Sequence, residues 1–254
     1  MTELDPLVPW PEVGRRFTRT RRVRLGDVTP GGRLRLDALA RFVQDVSNDD
    51  TVDAGLDDDM AWVVRRTVVD VVRPAVLREE LALATFCGGT GSRWAERRVS
   101  IAGEHGAAIE CSTLWVHLDV ASGRPKALPA QFHEIYGEAS GGRTIRARLQ
   151  HPAPPLDVLP VRWPLRFVDL DVLGHVNNAI AWAAVEEELA HRGGLTARLP
   201  ARVEVEYPGA MEPGHEILRV GAEDAGGEVR MWLVDATAPD RTLASGRVVP
   251  HPTA

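Results

Sequence analysis

The sequence has 254 residues, of which 44% are hydrophobic and 26% charged, so it can bury a sizeable core as one large domain or two small ones. A formal net charge of −6 argues against a general nucleic-acid-binding protein, which normally carries an excess of Lys and Arg. No apolar run reaches the roughly eighteen residues of a membrane span, and the first residues are acidic and proline-rich where a signal peptide needs positive charge, so we expect a cytoplasmic protein.

The first half of the chain combines one helix with a set of strands. A strand-like run covers residues 17–25, and a turn at residues 29–32 precedes apolar residues at helical spacing (Leu36, Leu39, Val43, Val46), which predict a helix of about three turns. An acidic loop is expected at residues 48–59. Four strand-like runs rich in β-branched residues follow, at residues 61–72, 80–87, 93–101 and 107–118.

The two cysteines, Cys87 and Cys111, lie in these strand-like segments and lack the spacing of metal ligands. We therefore expect buried, reduced thiols, with neither a disulfide nor a zinc site. None of the motifs below requires a metal or another cofactor.

The second half repeats the pattern of the first. Residues 137–160 are rich in Gly and Pro and predict a linker. After it come a strand at residues 161–168, a polar cluster, a helix that ends near residue 191, and strands at residues 202–207, 215–220, 228–235 and 242–249. We expect an N-terminal domain at residues 1–136 and a C-terminal domain at residues 161–254.

An offset of 142 residues aligns the two halves where each helix begins. The shared positions are Arg24 with Arg166, Asp27 with Asp169, and Gly32 with Gly174. Asp169 is therefore expected to be structural and paired with Arg166. The unshared positions are Asp171, His175, Asn177 and Asn178, matched by Thr29, Arg33, Arg35 and Leu36. Both copies could keep a simple helix cap, whereas one active site needs only one copy, so the asymmetry favours a site in the second half.

The segment WPLRFVDLDVLGHVNNAIAWAAVEEEL resembles the acyl-acyl-carrier-protein thioesterases, whose second domain carries R-x-x-D-x-D-x-x-x-H-V-N-N before an apolar helix. The first half resembles that family's strands in order, and the resemblance covers residues 17–248. It implies an α+β fold of two tandem hotdog domains, each an antiparallel sheet wrapped around a central helix. It also implies hydrolysis of the acyl-carrier thioester to release a fatty acid.

Thioester hydrolysis needs an attacking group and donors aimed at the developing oxyanion. Asp171 is the candidate general base or nucleophile, and His175 is the candidate group that orients the substrate. The backbone N–H groups from Gly174 to Val176 are the expected oxyanion donors, because a helix N-terminus leaves them without partners. Asn177 is a weaker candidate auxiliary. Each of these residues has a plainer alternative as a local cap or turn former.

Two positions depart from the family pattern. Plant-type enzymes have an asparagine where this chain has Leu173, and the family's glutamate after the E-Y strand falls on Ala210. The nearest acid is Glu212, so either Glu212 reaches the site or Asp171 works without this helper. Asn178 is grouped with the substrate-binding candidates because it follows Asn177 in the same motif.

The acyl chain is expected in the first half, between the helix and the sheet, against Phe42, Val43 and Trp62. The arginines between Arg15 and Arg24 form either a solvated strand face or a docking patch for the acidic acyl carrier protein. Residues 186–188 are expected to be a solvated helix face. Two rival functions stay open: an acyl-CoA thioesterase on the same fold, and a noncatalytic acyl-binding or dehydratase-like hotdog protein. The chain is either a monomer with an internal hotdog pair or a homodimer.

Overall fold

Ten strands form one antiparallel sheet in the computed structural model, which describes residues 6–56, 61–119, 121–172 and 174–251. The strands are β1 (Phe17–Arg22), β2 (Ala61–Arg73), β3 (Glu80–Thr90), β4 (Trp94–Gly103), β5 (Ala108–Leu118), β6 (Val161–Trp163), β7 (Ala201–Glu206), β8 (Ile217–Glu223), β9 (Val229–Asp235) and β10 (Ala238–Pro250). Their order across the sheet is β1-β3-β4-β5-β2-β7-β10-β9-β8-β6. The five strands of the first half therefore lie on one side of the β2–β7 seam and the five of the second half on the other.

The pairing of β2 with β7, here called the seam, reflects the repeat in the sequence. Buried apolar pairs such as Val69 with Val203 join the two strands. Just beyond the last paired residues, Tyr207 donates its N–H to the carbonyl oxygen of Arg65 at 3.0 Å, and these two residues are 142 positions apart. Equivalent residues of the two halves therefore face each other at one end of the seam, as expected when a duplicated unit pairs with its own copy.

Three helices cover this sheet within the described residues: α1 (Leu36–Asp53), α2 (Ala130–Ser140) and α3 (Ala179–Ala190). α1 and α3 pack against each other, α1 over β1 and β3 and α3 over β9 and β10. Gly246 on β10 permits the close approach of α3, because an added Cβ would overlap Val185. No helix in the described part of the chain is both long and apolar enough to cross a membrane.

α1 is longer than the sequence pattern indicates, since it continues to Asp53. The predicted acidic loop at residues 48–59 is therefore wrong for residues 48–53, and residues 57–59 lie outside the described part. The helix accommodates the acids because they have cationic partners: Asp50, 1% exposed, pairs with Arg15 and Arg97. Burial of a carboxylate is tolerated only with such partners.

The predicted linker at residues 137–160 begins inside α2, whose last residue is Ser140. The rest of the segment crosses the sheet face opposite α1 and α3 and is anchored to it. Two tryptophan side chains donate to its backbone, Trp94 to Ile145 at 3.0 Å and Trp232 to Pro152 at 2.8 Å. The predicted strand at residues 161–168 is also shorter, since β6 ends at Trp163.

The prediction of a solvated face at residues 186–188 is wrong for two of the three glutamates. Glu186 pairs with Arg33 across the helix–helix contact, and Glu188, 7% exposed, pairs with Arg192 and Arg219. Glu187 alone is exposed. The cause is that α3 is enclosed by α1 and the sheet, so most of its circumference faces protein.

Candidate active site

In each half, a single turn of 3-10 helix precedes the main helix, at Leu25–Asp27 before α1 and at Phe167–Asp169 before α3. In both, the aspartate that ends the turn accepts the N–H of the arginine three residues earlier, Asp27 at 2.9 Å and Asp169 at 2.8 Å. Asp169 is 3% exposed and also binds the Arg166 guanidinium at 2.7 Å. The structural role predicted for Asp169 is confirmed.

The loops that follow the two turns have matching hydrogen bonds. The matched donors and acceptors are Thr29 with Arg33 and Asp171 with His175, each pair joined from N–H to carbonyl oxygen at 2.8 Å. Both loops need a glycine at positive φ, +81° at Gly32 and +77° at Gly174, which side chains disfavour. The backbone is therefore common to both halves, and the difference between the loops lies in their side chains.

Asp171 is half-buried in the second loop, and its Oδ1 accepts the N–H of His175 at 3.1 Å. This bond fixes the carboxylate over the loop. The imidazole of His175 is exposed, and so are Val172 at 100% and Phe167 at 90%. The loop thus presents one oriented carboxylate and one imidazole within an exposed, partly apolar surface.

The expectation that Gly174 to Val176 supply free oxyanion donors is wrong. Gly174 donates to the Asp171 carbonyl at 3.0 Å, His175 to its carboxylate, and Val176 to the carbonyl of Met211 at 3.3 Å. These donors are consumed because α3 begins only at Ala179, after a tight loop closed by a bridge between residues 170 and 176. Leu173, the first departure from the family pattern, lies outside the described residues.

The two asparagines of the motif lie where α3 begins. The Oδ1 of Asn177 accepts the N–H of Ala179 at 2.9 Å, so Asn177 acts as a local cap. The backbone N–H of Asn178 donates to no other described residue. Its carbonyl oxygen accepts the Tyr207 hydroxyl at 3.1 Å, and that hydroxyl accepts the Trp182 indole N–H at 2.9 Å. Burial raises the pKa of Tyr207 well above its usual range, so this neutral anchor persists at physiological pH.

In the first half, the backbone N–H at the matching helix start already has a hydrogen-bond acceptor. Glu186 reaches from α3 to accept the N–H of Leu36 at 3.0 Å, and its other oxygen pairs with Arg33. Leu36 and Arg33 are the counterparts of Asn178 and His175. In the first half, Glu186 therefore binds both the Leu36 N–H and the Arg33 guanidinium. In the second half, the Asn178 N–H stays available.

Glu212 lies on the loop that contacts the site, directly after Met211, and is exposed. Its N–H donates to the Nδ1 of His215 at 3.3 Å. Sequence reasoning missed His215, because nothing in its spacing marks it. The catalytic role of Glu212 stays a prediction.

Two of the cavities in the described part of the chain lie between the helices and the sheet. The larger, about 240 Å³, is lined by Trp62, Cys87 and Trp115 of the sheet, by the second half of α1, and by Phe132 and Tyr136 of α2. The smaller, about 10 Å³, has the room of about one water molecule. It is lined by Val43, Val64, Thr67, Thr113, Asn178, Trp182 and Tyr207. Gln44 lines both cavities and so lies between them.

Of the three predicted acyl contacts, two reach a cavity. Trp62 lines the larger one and Val43 the smaller one. Phe42 lines neither and lies 1% exposed in the core, under the Arg21 guanidinium at 4.3 Å. Burial raises the pKa of Cys87, in the wall of the larger cavity, to about 11, so its thiol is neutral and unreactive at physiological pH.

One group in the described chain has the spacing of metal ligands, His151 with Glu204 and Glu206, whose ligand atoms lie within 4.8 Å of one another. Glu206 already accepts the N–H of His151 at 3.0 Å and that of Gln150 at 2.7 Å, and Glu204 faces Arg66 at 3.7 Å. These partners compensate both carboxylates. The group therefore serves to hold the segment that follows α2 on the sheet.

The arginines between Arg15 and Arg24 are largely paired within the chain. Four of them contact acids of α1 or β3: Arg15 with Asp50 and Asp53, Arg19 with Asp49, Arg21 with Asp45, and Arg22 with Glu80. This pairing lowers the positive potential that a docking patch would need.

Comparison with known proteins is consistent with this architecture. Family models for the acyl-ACP thioesterase N-terminal and C-terminal domains match residues 14–136 and 158–233. Uncharacterized proteins from two strains of Mycobacterium tuberculosis are 31% identical over 229 residues, 90% of this chain and 90% of theirs. An acyl-ACP thioesterase from Bacteroides thetaiotaomicron superimposes with a TM-score of 0.76 at 15% identity, covering 92% of this chain and 97% of that one. For 12:0-ACP thioesterase from Umbellularia californica the TM-score is 0.75 at 20% identity, covering 94% and 98%.

The structural likenesses establish the hotdog fold, and the two family models together span more than half of the sequence in the expected order. The chain belongs to the acyl-ACP thioesterase family, a family of thioester hydrolases.

Proposed function

We propose that this protein hydrolyses acyl-acyl-carrier-protein thioesters and releases a free fatty acid, at a single site formed by the second-half loop. One observation carries the assignment of the site. Two loops share the same backbone, and only the second presents a carboxylate and an imidazole, at Asp171 and His175, where the first has Thr29 and Arg33. The second loop also precedes the helix start whose Asn178 N–H stays available.

Asp171 acts as general base or as nucleophile. As a base, it takes a proton from water while the water oxygen attacks the thioester carbon, and the carbon–sulfur bond breaks as the thiol leaves with a proton. As a nucleophile, the carboxylate attacks the thioester carbon, the carbon–sulfur bond breaks and the thiolate leaves, taking a proton from solvent. Water then hydrolyses the mixed anhydride to the free fatty acid and restores the Asp171 carboxylate. The Asp171 Oδ1 bond to the His175 N–H orients the carboxylate in either case. His175 is exposed beside it and positions the thioester.

The two halves divide the work as tandem hotdog units. Residues 161–254 carry the catalytic loop, and residues 1–136 hold the acyl chain in the larger cavity. The apolar and aromatic part of the cavity wall (Leu56, Trp62, Trp115 and Phe132) supports this assignment, because each buried methylene contributes about 0.8 kcal/mol. Polar side chains of α1 and of β4 form much of the rest of the wall. Trp62 and Phe132, with ring centroids 5.6 Å apart, border the cavity.

The carrier protein is proposed to dock beside the catalytic loop. This loop exposes Phe167 and Val168. Next to them the Arg162 side chain is 78% exposed, with only a 4.0 Å contact to Glu216, and the Arg166 side chain is 68% exposed although it pairs with Asp169. An apolar patch with exposed arginines suits an acidic protein that delivers a tethered thioester. The internally paired arginines of β1 offer less support for docking there.

A panel of acyl-carrier and acyl-CoA thioesters, followed by thiol release, tests this proposal. Carrier-selective turnover that falls when Arg162 is changed to Glu, with acyl-CoA turnover preserved, supports it; Arg166 is kept because it pairs with Asp169. The matched change Arg21→Glu on β1 serves as control and should leave carrier turnover within about twofold, because that side chain is paired within the chain. Faster turnover of the CoA esters would favour an acyl-CoA thioesterase, and no thiol release from any ester would favour a noncatalytic acyl-binding protein.

A further inference from the structure

Gln44 is the residue that the repeat places opposite the open helix start. At the offset of 142 residues Gln44 on α1 corresponds to Glu186 on α3, as Asn178 corresponds to Leu36. In the first half Glu186 spans the helix pair and accepts the Leu36 N–H at 3.0 Å. The same position on the other helix therefore has the reach to meet the Asn178 N–H.

The contacts of Gln44 fit this placement. Its side chain is half-buried and lines the small cavity together with Asn178. Thr67, Thr113 and Tyr207 complete the polar part of the same cavity, and the Thr67 hydroxyl is within 3.3 Å of the Thr113 hydroxyl. The space suits one oxygen atom with several donors around it, because a cavity of about 10–15 Å³ holds about one water molecule.

The exchange of Glu for Gln changes what the position can do. A carboxylate only accepts hydrogen bonds, so Glu186 occupies the Leu36 donor and closes that helix start. A neutral amide carries two N–H donors beside its carbonyl acceptor, so at residue 44 it can place a second donor next to the Asn178 N–H, which a carboxylate cannot do. Two convergent donors of this kind stabilise a developing oxyanion.

We propose that Gln44 is a catalytic residue of the thioesterase site, contributed by the first half of the chain, and that its side-chain amide and the Asn178 backbone N–H together bind the thioester carbonyl oxygen. This inference rests on the proposed function in one respect, that the substrate is an acyl thioester. It replaces the donors of residues 174–176, which are engaged within the loop. It also explains why Gln44 borders both cavities: the acyl chain lies on one side of it and the reacting carbonyl on the other.

The decisive variant is Gln44→Glu, in which a carboxylate can accept the Asn178 N–H as Glu186 accepts the Leu36 N–H in the first half. At neutral pH we expect kcat to fall by about 100-fold or more, the effect of losing an oxyanion donor, with KM for the acyl substrate changed little. The ratio of variant to wild-type kcat should rise as the pH falls toward about 4, because a protonated carboxyl regains a donor. A purely structural role would give no such pH dependence. Val52→Glu, at a 51% exposed position of the same helix, adds an equal charge and should leave kcat unchanged.

A second variant and an activity-independent signal complete the test. Gln44→Met keeps the size of the side chain without its polar group and should lose turnover at every pH. Amide hydrogen exchange at Asn178 should slow in Gln44→Glu above the carboxyl pKa, since the new carboxylate accepts that N–H. Wild-type kcat in both variants, or unaltered exchange at Asn178, would overturn the inference. A wild type inert toward all thioesters would refute the proposed function alone, and the exchange signal would still decide where Gln44 points.

Discussion

The Tyr207 hydroxyl is a buried anchor for the start of α3, where we propose the active site, and Tyr207→Phe removes only that oxygen. The hydroxyl donates to the Asn178 carbonyl at 3.1 Å and accepts the Trp182 indole N–H at 2.9 Å. Trp182 is 1% exposed and Tyr207 6% exposed, so water does not replace either bond. The variant therefore leaves a buried N–H donor unsatisfied and frees the first turn of α3.

The expected cost follows from these two bonds. An unsatisfied buried donor costs about 1–3 kcal/mol, and loss of the bond to Asn178 adds about 1 kcal/mol. Because 1 kcal/mol corresponds to about 2–4 °C in a protein of this size, we expect a Tm lower by about 5–10 °C. Displacement of the Asn178 N–H should lower kcat by about tenfold while KM changes less.

Differential scanning calorimetry and steady-state kinetics measure the two effects. A double-mutant cycle with Trp182→Phe isolates the hydrogen bond, because the cavity made by that variant cancels in the cycle, and a coupling energy of about 1 kcal/mol is expected. Burial keeps the pKa of Tyr207 high, so the coupling should not change between neutral and mildly alkaline pH. A Tm within 1 °C of wild type, or a coupling near zero, would refute the anchoring role.

Three further outcomes are expected. Trp62→Ala should enlarge the larger cavity, so the acyl chain length with the highest kcat/KM should increase. For each methylene that the added space accommodates, kcat/KM should rise by about fourfold. An unchanged optimum would contradict the cavity assignment. Burial raises the pKa of Cys87 to about 11, so its alkylation, followed by mass spectrometry, should be slow at neutral pH and accelerate as the pH approaches that value. A bound acyl ligand should block the reaction, and Cys111, which lines neither cavity, should stay unlabelled. Rapid labelling of Cys87 at neutral pH would contradict its burial. Burial alone would raise the pKa of Glu204, but His151, 3.6 Å away, and the charges of Arg66 and Arg247 outweigh it and lower that pKa. Glu204→Gln should therefore reduce Tm at neutral pH, with the difference vanishing as the pH falls below about 4, and a constant difference would argue against these contacts.

Most strands could be predicted from sequence because their patterns are local. β2, β5, β7 and β9 begin and end within one residue of the runs of β-branched residues that indicate them. α2 could not be predicted, since its apolar residues Phe132 and Tyr136 pack on β3 and α1, which are distant in sequence, and Gly137 interrupts the pattern. The burial of Glu186 was equally invisible, because its partner Arg33 is 153 residues away.

The candidate site could be proposed from the repeat, whereas the available backbone donors could not. Comparison of the two halves marks Asp171 and His175 as unshared, and the loops that carry them have the same backbone. The oxyanion donors were misplaced because one of them is used by Met211, on a loop that sequence spacing does not connect to Val176. The offset applied to Glu186 would have pointed to Gln44, but only once the contact of Glu186 with the other helix start was visible.

The central claim is that one of two equivalent loops hydrolyses the thioester, and a paired substitution tests it most directly. Asp171→Asn keeps an oxygen to accept the His175 N–H and removes the base, whereas Thr29→Ala changes the matching position of the first half. With an acyl-acyl-carrier-protein substrate, we expect kcat to fall by about 10²–10⁴-fold in Asp171→Asn and to stay within about twofold of wild type in Thr29→Ala. Equal kcat values in wild type and Asp171→Asn would contradict the account.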